Sequence, residues 1–208
     1  MTKALLKLLE IGGTAFAPPN PAWPKKNGTL AILNDQMLGR KNGFFAFESA
    51  LRVFPSVTTE ESWGIDEWNG PSLWKVEYGG IADNILCFAE DVFGGQFCLS
   101  DRGVFRFDPE SGVLDAVADD LESWAAKVLL DYDGMTGYGT AHAWQATNGL
   151  LPPRARLMPK RPFVVGGKSE LTNLVAIDSI RLMKNMGNLA RQIRDLPDGS
   201  QIKFEIIH

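Results

Sequence analysis

Short apolar runs separated by turn residues follow one another between residues 85 and 114. The runs lie at 85–89, 96–99, 104–107 and 113–114, and the turns between them are rich in glycine and acidic residues. This spacing predicts a meander of three or four antiparallel strands. Side chains alternate along a strand, so Phe105 and Phe107 are expected on one face and Val104 and Arg106 on the other. One of the two faces is therefore expected to form a core.

Apolar residues three and four positions apart predict helices in other parts of the chain. The positions are Leu5, Leu8 and Leu9; Phe44, Phe47, Ala50, Leu51 and Phe54; Leu121, Trp124, Ala125, Val128 and Leu129; and Leu182, Met183, Met186, Leu189, Ala190 and Ile193. The expected N-caps are Thr2 for the first helix, Asp119 with Glu122 as a capping box for the third, and Asp178 or Ser179 for the last. Gly187 is expected to weaken the last helix by up to about 1 kcal/mol relative to alanine.

Shorter elements are predicted between these segments. Strands are expected as a pair within 63–70 and at 74–78, 163–165, 174–177 and 202–206. A proline-rich connector is expected at 18–24, a turn-rich loop at 131–139 and a brief helix at 140–147. With the meander, these elements predict a sheet of neighbouring strands that a helix can cover.

The length and charge of the chain narrow its domain organisation and its partners. The 208 residues are 45% hydrophobic, which is enough for a substantial core, and we expect a single domain over residues 1–208 with an N-terminal helix and a C-terminal helix-strand extension. The net charge of −4 disfavours a surface that neutralises phosphates, so nucleic acid is not the expected partner. A basic protein is compatible with this charge.

The cysteine content and the first residues predict a cytoplasmic protein. Cys87 and Cys98 both lie inside predicted strands, and two cysteines in a chain of this length do not resemble a secreted disulfide framework. Lys7 and Glu10 interrupt the apolar run at the N-terminus, which is too short to cross a membrane. No membrane association is expected.

Groups that carry catalysis are sparse in the sequence. His142 is the internal one of the two histidines, and its neighbours offer no second metal ligand. The segment 166–169 resembles part of a phosphate-binding loop, but Pro162 stands where that loop requires glycine. Asp108 and Glu110 flank a proline at a predicted hairpin tip, which favours a solvated turn. We therefore predict no catalytic residue, no metal site and no cofactor.

Two acidic segments are candidates for partner contacts. Trp63, Asp66, Glu67 and Trp68 fall within eight residues, either as tryptophans covering a core edge or as aromatic anchors beside acids on a binding surface. Glu90 and Asp91 lie at the mouth of the central turn. Their carboxylates are placed either to accept backbone N–H bonds and hold the turn or to face a partner.

The central segment resembles the SUKH superfamily, which is named partly for homology to a yeast regulator of cell-wall synthesis. The resemblance covers roughly residues 85 to 130 and rests on the acidic strand end at 90–91, the glycine turn at 94–95, the aromatic strand 96–99, the charged strand 103–108 and the helix through Trp124. Residues 195–199 and the following strand are similar to longer bacterial members, including domains of type VI secretion immunity proteins. The resemblance implies an α+β fold in which a central, mostly antiparallel sheet is flanked by helices. It also implies no shared catalytic residues and, for many bacterial members, immunity by binding a polymorphic toxin.

These observations favour a non-enzymatic, cytosolic protein-binding module, most concretely an immunity protein that neutralises a toxin with a basic domain. The expected contacts are Trp63, Asp66, Glu67 and Trp68, with Glu90 and Asp91 as a second choice. Two alternatives stay open: a regulatory scaffold acting on endogenous partners, and an enzyme with a carboxylate-based site that motifs do not reveal.

Overall fold

The computed structural model describes residues 3–24, 28–197 and 200, and these form the predicted α+β fold. The helices in this part of the chain are α1 (Lys3–Ile11), α2 (Thr29–Leu33), α3 (Ile65–Trp68), α4 (Leu121–Leu130), α5 (Tyr132–Thr136), α6 (Tyr138–Asn148) and α7 (Ser179–Ile193). A π-helical turn (Asn34–Leu38) and 3₁₀ helices (Lys75–Tyr78, Phe163–Val165 and Leu171–Asn173) complete the helical segments. The expected cap Thr2 and the closing strand 202–206 lie outside the described residues.

Within the described residues, six antiparallel strands form the main sheet and two more form a small sheet. The main sheet runs in sequence order: β1 (Phe44–Ala46), β2 (Leu51–Val53), β3 (Cys87–Glu90), β4 (Gln96–Ser100), β5 (Gly103–Phe107) and β6 (Leu114–Ala118). The small sheet pairs β7 (Ala155–Pro159) with β8 (Leu174–Asp178). The predicted meander is therefore confirmed as β3 to β6.

Helices cover the main sheet on both faces, whereas the sequence pattern indicated one core face. On one face, Trp124 of α4 packs its ring 5.5 Å from Phe97 of β4. On the other, Phe107 of β5 contacts Trp74 and Tyr78, whose rings lie 6.4 and 5.2 Å away. All five aromatic side chains are buried. A burial on both faces explains why β3 is apolar almost without alternation.

The helix expected at 44–53 is wrong, because these residues form the hairpin β1–β2. Phe44 pairs with Val53 and Ala46 with Leu51. The connecting turn contains three consecutive non-glycine residues, Phe47, Glu48 and Ser49, with φ between 50° and 69°. Few non-glycine residues adopt this left-handed conformation, so the residue types at 47–49 did not indicate a turn.

Other local predictions also need correction. The strands expected at 63–70, 74–78 and 163–165 are α3 and two 3₁₀ helices, and the loop expected at 131–139 contains α5. Trp74 and Tyr78, four residues apart, meet on one face of a helical turn with their rings 5.5 Å apart. The sequence pattern also gave no indication of β7, which lies between proline-containing segments.

The last predicted helix is confirmed as α7. The side chain of Asp178 accepts hydrogen bonds from the backbone N–H groups of Ile180 and Arg181, which makes it the N-cap. Leu182, Met183 and Met186 enter the core shared with the main sheet. The assignment of residues 1–208 to one domain stays a prediction.

Candidate functional site

The predicted Trp63–Trp68 segment folds as a tight loop followed by α3, and this separates its side chains. Pro55 accepts a backbone hydrogen bond from Ile65 at 2.9 Å, which fixes the start of the helix. Trp68 then points into the core, where its indole nitrogen donates to Gln96 at 2.8 Å. Because its side chain is fully buried, Trp68 is not placed to contact a partner.

The remaining members of this segment reach the surface. Asp66 and Glu67 are exposed on the outer side of α3, and Trp63 is half-buried. Asp66 accepts a hydrogen bond from the indole nitrogen of Trp23, which ties the proline-rich connector to α3. The guanidinium of Arg154 lies 4.3 Å from the centre of the Trp63 ring. The accessible part of the predicted surface is therefore Trp63, Asp66 and Glu67.

Asp91 holds the central glycine turn from inside. Its Oδ1 accepts hydrogen bonds from the backbone N–H groups of Phe93 and Gly95, both at 2.8 Å, and its Oδ2 pairs with Arg106. A Cβ at position 95 would overlap the Asp91 carboxylate, so glycine is required there. The structural interpretation of Asp91 fits its 1% exposure, and the partner-contact interpretation does not.

Glu90 is the centre of a fully buried charge cluster. Its carboxylate pairs with Arg52 of β2 and Arg156 of β7, and it accepts a hydrogen bond from Gln96 at 3.1 Å. Arg52 also donates to Ser179 Oγ at 2.8 Å. Burial lowers the pKa of both arginines, and the Glu90 carboxylate opposes that shift. The side chain of Glu90 is enclosed, so the prediction that it contacts a partner is not supported.

A surface that the sequence did not indicate lies around the β1–β2 turn. We call it the aromatic patch and define it as Phe47, Glu48, Tyr132, Tyr138 and His142. The rings contact one another in series, with centroid separations of 5.3 Å for Phe47–Tyr132, 5.2 Å for Tyr132–Tyr138 and 5.8 Å for Tyr138–His142. Tyr132 is 42% exposed. The sequence pattern predicts a helix at Phe47 and a loop at Tyr132 and Tyr138, so it does not indicate that these rings meet.

Glu48 connects the strained turn to α6. Its carboxylate contacts His142 Nδ1 at 2.8 Å and accepts a hydrogen bond from the Tyr138 hydroxyl at 3.3 Å. Its backbone carbonyl accepts a hydrogen bond from Gln145 at 2.9 Å. The hydrogen bond with His142 lowers the pKa of Glu48. Helix α6 thus holds the left-handed turn in place, and His142 takes part through its hydrogen bond with the Glu48 carboxylate.

The segment that carries Tyr132, Tyr138 and His142 is acidic. Asp131 and Asp133 are exposed on either side of Tyr132, and no lysine or arginine occurs between Lys127 and Arg154. The carboxylate of Asp131 caps α5 by accepting from Gly134 at 2.9 Å, so its charge is fixed in position. A patch of this composition can bind a cationic protein surface.

The cysteines and the remaining chemical candidates have local structural roles. Cys87 and Cys98 lie opposite each other on β3 and β4 with their sulfur atoms 3.5 Å apart, and burial raises the pKa of the Cys98 thiol. Gly166 ends the 3₁₀ helix Phe163–Val165 with a left-handed conformation. In the described part of the chain, no three histidine, cysteine or carboxylate side chains converge to hold a metal ion.

Comparisons with known proteins support the fold. No protein-family model and no curated relative matches the sequence. A crystal structure of Atu4351 from Agrobacterium tumefaciens is similar in fold. Its TM-score is 0.61 at 12% sequence identity, over 90% of this chain and 89% of that chain. At this identity the likeness extends to the fold alone. Among the described helices, none has the length and apolar character needed to cross a bilayer.

Proposed function

We propose that this protein is an immunity protein that binds a protein toxin and blocks it. The observation that carries the proposal is the aromatic patch, a series of contacting rings beside the Glu48 carboxylate in which Tyr132 and His142 are exposed. Tyrosine is enriched among the residues that dominate protein interfaces, since it buries a large area at a small cost in conformational entropy. The SUKH-like central segment adds the expectation that the partner is a toxin.

The aromatic patch is held in shape before a partner arrives. Residues 47–49 have positive φ, and the contacts from Tyr138, His142 and Gln145 to Glu48 maintain that conformation. A surface that is already ordered loses less entropy on binding than a flexible loop does. Strained backbone segments of this kind also occur preferentially at functional sites.

The charge around the aromatic patch selects a cationic partner. Glu48, Asp131 and Asp133 carry negative charge, and lysine and arginine are absent from residues 128–153. Complementary charge accelerates encounter and disfavours acidic competitors, and its effect weakens as salt rises. Trp63, Asp66 and Glu67 form a second acidic surface with an aromatic side chain, which remains a predicted contact for the same partner.

The proposal is tested with any toxin domain that is encoded next to the gene for this chain. Co-expression of the intact chain is expected to rescue growth, and the purified proteins are expected to bind in isothermal titration calorimetry. Tyr132→Ala and Tyr138→Ala should each weaken binding by roughly 30-fold, corresponding to a hot-spot loss of about 2 kcal/mol. Val76→Ala, which truncates an exposed apolar side chain on the 3₁₀ helix Lys75–Tyr78, serves as the matched control.

The outcomes separate immunity from the scaffold alternative. Binding and growth rescue that survive both tyrosine substitutions would exclude the aromatic patch as the contact surface. The double change Asp66→Lys with Glu67→Lys then tests the second surface. If no toxin is encoded nearby and the chain protects against none, the immunity proposal fails, and an endogenous partner at an isolated locus would favour a regulatory scaffold.

A further inference from the structure

A cavity of about 560 Å³ lies where the end of β5, the 3₁₀ helix Phe163–Val165 and helix α7 meet. Its apolar wall includes Phe93, Phe163, Val164 and Met186. The rings of Phe93 and Phe163 pack edge to face with centroids 5.4 Å apart. This volume is within the range of small-molecule sites, which are mostly apolar with a few placed polar groups.

Arg106 supplies a cation to this cavity. Its side chain is 39% exposed, and its Nη2 pairs with Asp91. Among the described residues no other group accepts a hydrogen bond from this guanidinium, so Nη1 retains its donors. Asp91 is itself anchored by the backbone N–H groups of Phe93 and Gly95. It is therefore the positioning residue that fixes Arg106 at the cavity.

Asp108, which directly follows β5, supplies a carboxylate to the same cavity. Its Oδ1 accepts hydrogen bonds from the backbone N–H groups of Glu110 and Ser111, at 2.8 and 2.9 Å. Within the described part of the chain its Oδ2 has no hydrogen-bond partner. Asp108 is close enough to Arg106 to raise the pKa of the guanidinium, after the larger effect of Asp91.

The second carboxylate at the cavity is already engaged. Both oxygens of Glu110 accept backbone hydrogen bonds, from Phe163 at 3.0 Å and Val164 at 2.7 Å. These bonds hold the 3₁₀ helix against the β5–β6 turn, so Glu110 belongs to the wall. The charged groups open to a ligand are thus a guanidinium donor on Arg106 and a carboxylate acceptor on Asp108, and Ser111 and Ser169 also line the cavity.

We propose that this cavity binds a free α-amino acid with a large apolar or aromatic side chain. The ligand carboxylate would pair with Arg106 and its ammonium group with Asp108, while its side chain packs against Phe93, Phe163 and Val164. A purely anionic ligand would leave the Asp108 carboxylate without a partner, and a purely cationic one would leave the Nη1 donors of Arg106 without an acceptor. A zwitterion satisfies both charges. This inference is independent of the proposed toxin binding.

The ligand series on the unmodified protein is the first test. L-phenylalanine, 2-phenylethylamine and 3-phenylpropionate share the ring and differ in the charged groups that they carry. Titration calorimetry at pH 7 is expected to show that L-phenylalanine binds at least about tenfold more tightly than either analogue, because each lacks one charge-assisted hydrogen bond. Equal binding of all three, or no binding of L-phenylalanine, L-leucine and L-tryptophan at millimolar concentration, would overturn the proposal.

Variants assign the binding to this cavity. Asp108→Asn keeps the Oδ1 acceptor for the turn and removes the charge, so L-phenylalanine affinity should fall at least about tenfold while 3-phenylpropionate affinity does not fall. Asp101→Asn, at an exposed turn outside the cavity lining, is the matched control and should change neither. Val164→Trp places a ring on the 49% exposed wall residue and should abolish binding. Unchanged L-phenylalanine affinity in both cavity variants, with circular dichroism confirming that they fold, would place the site elsewhere.

Discussion

Gly187 is unfavourable for α7 by helix propensity but is required by the packing around it. Glycine in a helix interior lowers the stability of the helix relative to alanine. In the structure a Cβ at this position would lie 2.7 Å from Cδ2 and 2.8 Å from Cε2 of Tyr78. Tyr78 is fully buried and donates a hydrogen bond from its hydroxyl to the Pro109 carbonyl at 2.8 Å. The ring therefore has little room to move.

Replacing Gly187 with alanine is expected to destabilise the protein despite the better helix propensity. Overpacking of a core typically costs about 1–3 kcal/mol, which exceeds the gain of about 1 kcal/mol from propensity. The free energy of unfolding from urea titration measures the net effect. Lys184→Ala, on the exposed side of the same helix, is the control and should be close to neutral. A more stable Gly187→Ala protein would contradict the close contact with Tyr78.

At the scale of elements, α4 begins one residue later than the capping-box spacing indicated. Asp120, and not Asp119, is the N-cap, and its Oδ1 accepts a hydrogen bond from the Ser123 N–H at 2.7 Å. Glu122, the predicted capping-box partner, contacts α1 instead. Its two carboxylate oxygens accept from the backbone N–H groups of Ala4 and Leu5 at 2.8 and 2.9 Å, so it joins α4 to the first turn of α1.

The position of the cap can be measured by alanine substitution. Asp120→Ala is expected to lower the free energy of unfolding by about 1 kcal/mol, whereas Asp119→Ala should have little effect. The hydrogen bond from the Ser123 N–H lowers the pKa of Asp120 in the folded protein. The contribution of Asp120 to the free energy of unfolding is thus fully present above its unfolded-state pKa. It is lost as pH falls through the lowered pKa of the folded state. Urea titrations should therefore show that the free energies of unfolding of the unmodified protein and of Asp120→Ala differ at neutral pH and become equal at strongly acidic pH. Equal loss from both substitutions would restore Asp119 as a cap.

Elements whose signals are local were predictable, and elements shaped by distant contacts were not. The strands β3 to β5 are separated by turns with glycine or acidic residues, and α7 has its own cap in Asp178. The β1–β2 turn has no glycine and depends on α6, which lies far along the chain. For the same reason the aromatic patch could not be read from the sequence, since Phe47 and Tyr132 meet only in the folded protein.

At the scale of the molecule, the Glu90 cluster joins elements that are distant in sequence. Arg52 belongs to β2 and Arg156 to β7, and both pair with the Glu90 carboxylate. Ser179, at the start of α7, accepts a hydrogen bond from Arg52. The local sequence indicates that Glu90 lies at a strand end, but it does not indicate that two arginines enclose it. Glu90 was therefore predicted as a partner contact although its side chain is buried.

Removing the Glu90 charge is expected to weaken the whole fold. Glu90→Gln removes the carboxylate charge that pairs directly with the buried Arg52 and Arg156, and breaking a buried ion pair typically costs about 3–5 kcal/mol. Chemical denaturation followed by tryptophan fluorescence measures the loss, and exposed Glu60→Gln is the matched control. A Glu90→Gln protein as stable as the unmodified one would show that the cluster does not hold the sheets together.

The order of strands in the main sheet has a consequence for synthesis of the protein. Each strand from β1 to β6 pairs with its neighbour in the chain. A chain that emerges from the ribosome N-terminus first therefore finds the partner of each new strand already outside, and every pairing is available once Ala118 has emerged. Helix α7, which brings Leu182, Met183 and Met186 to the shared core, follows all six strands in the chain. The part of the sheet that α7 covers therefore stays open to water until residues 179–193 have also emerged.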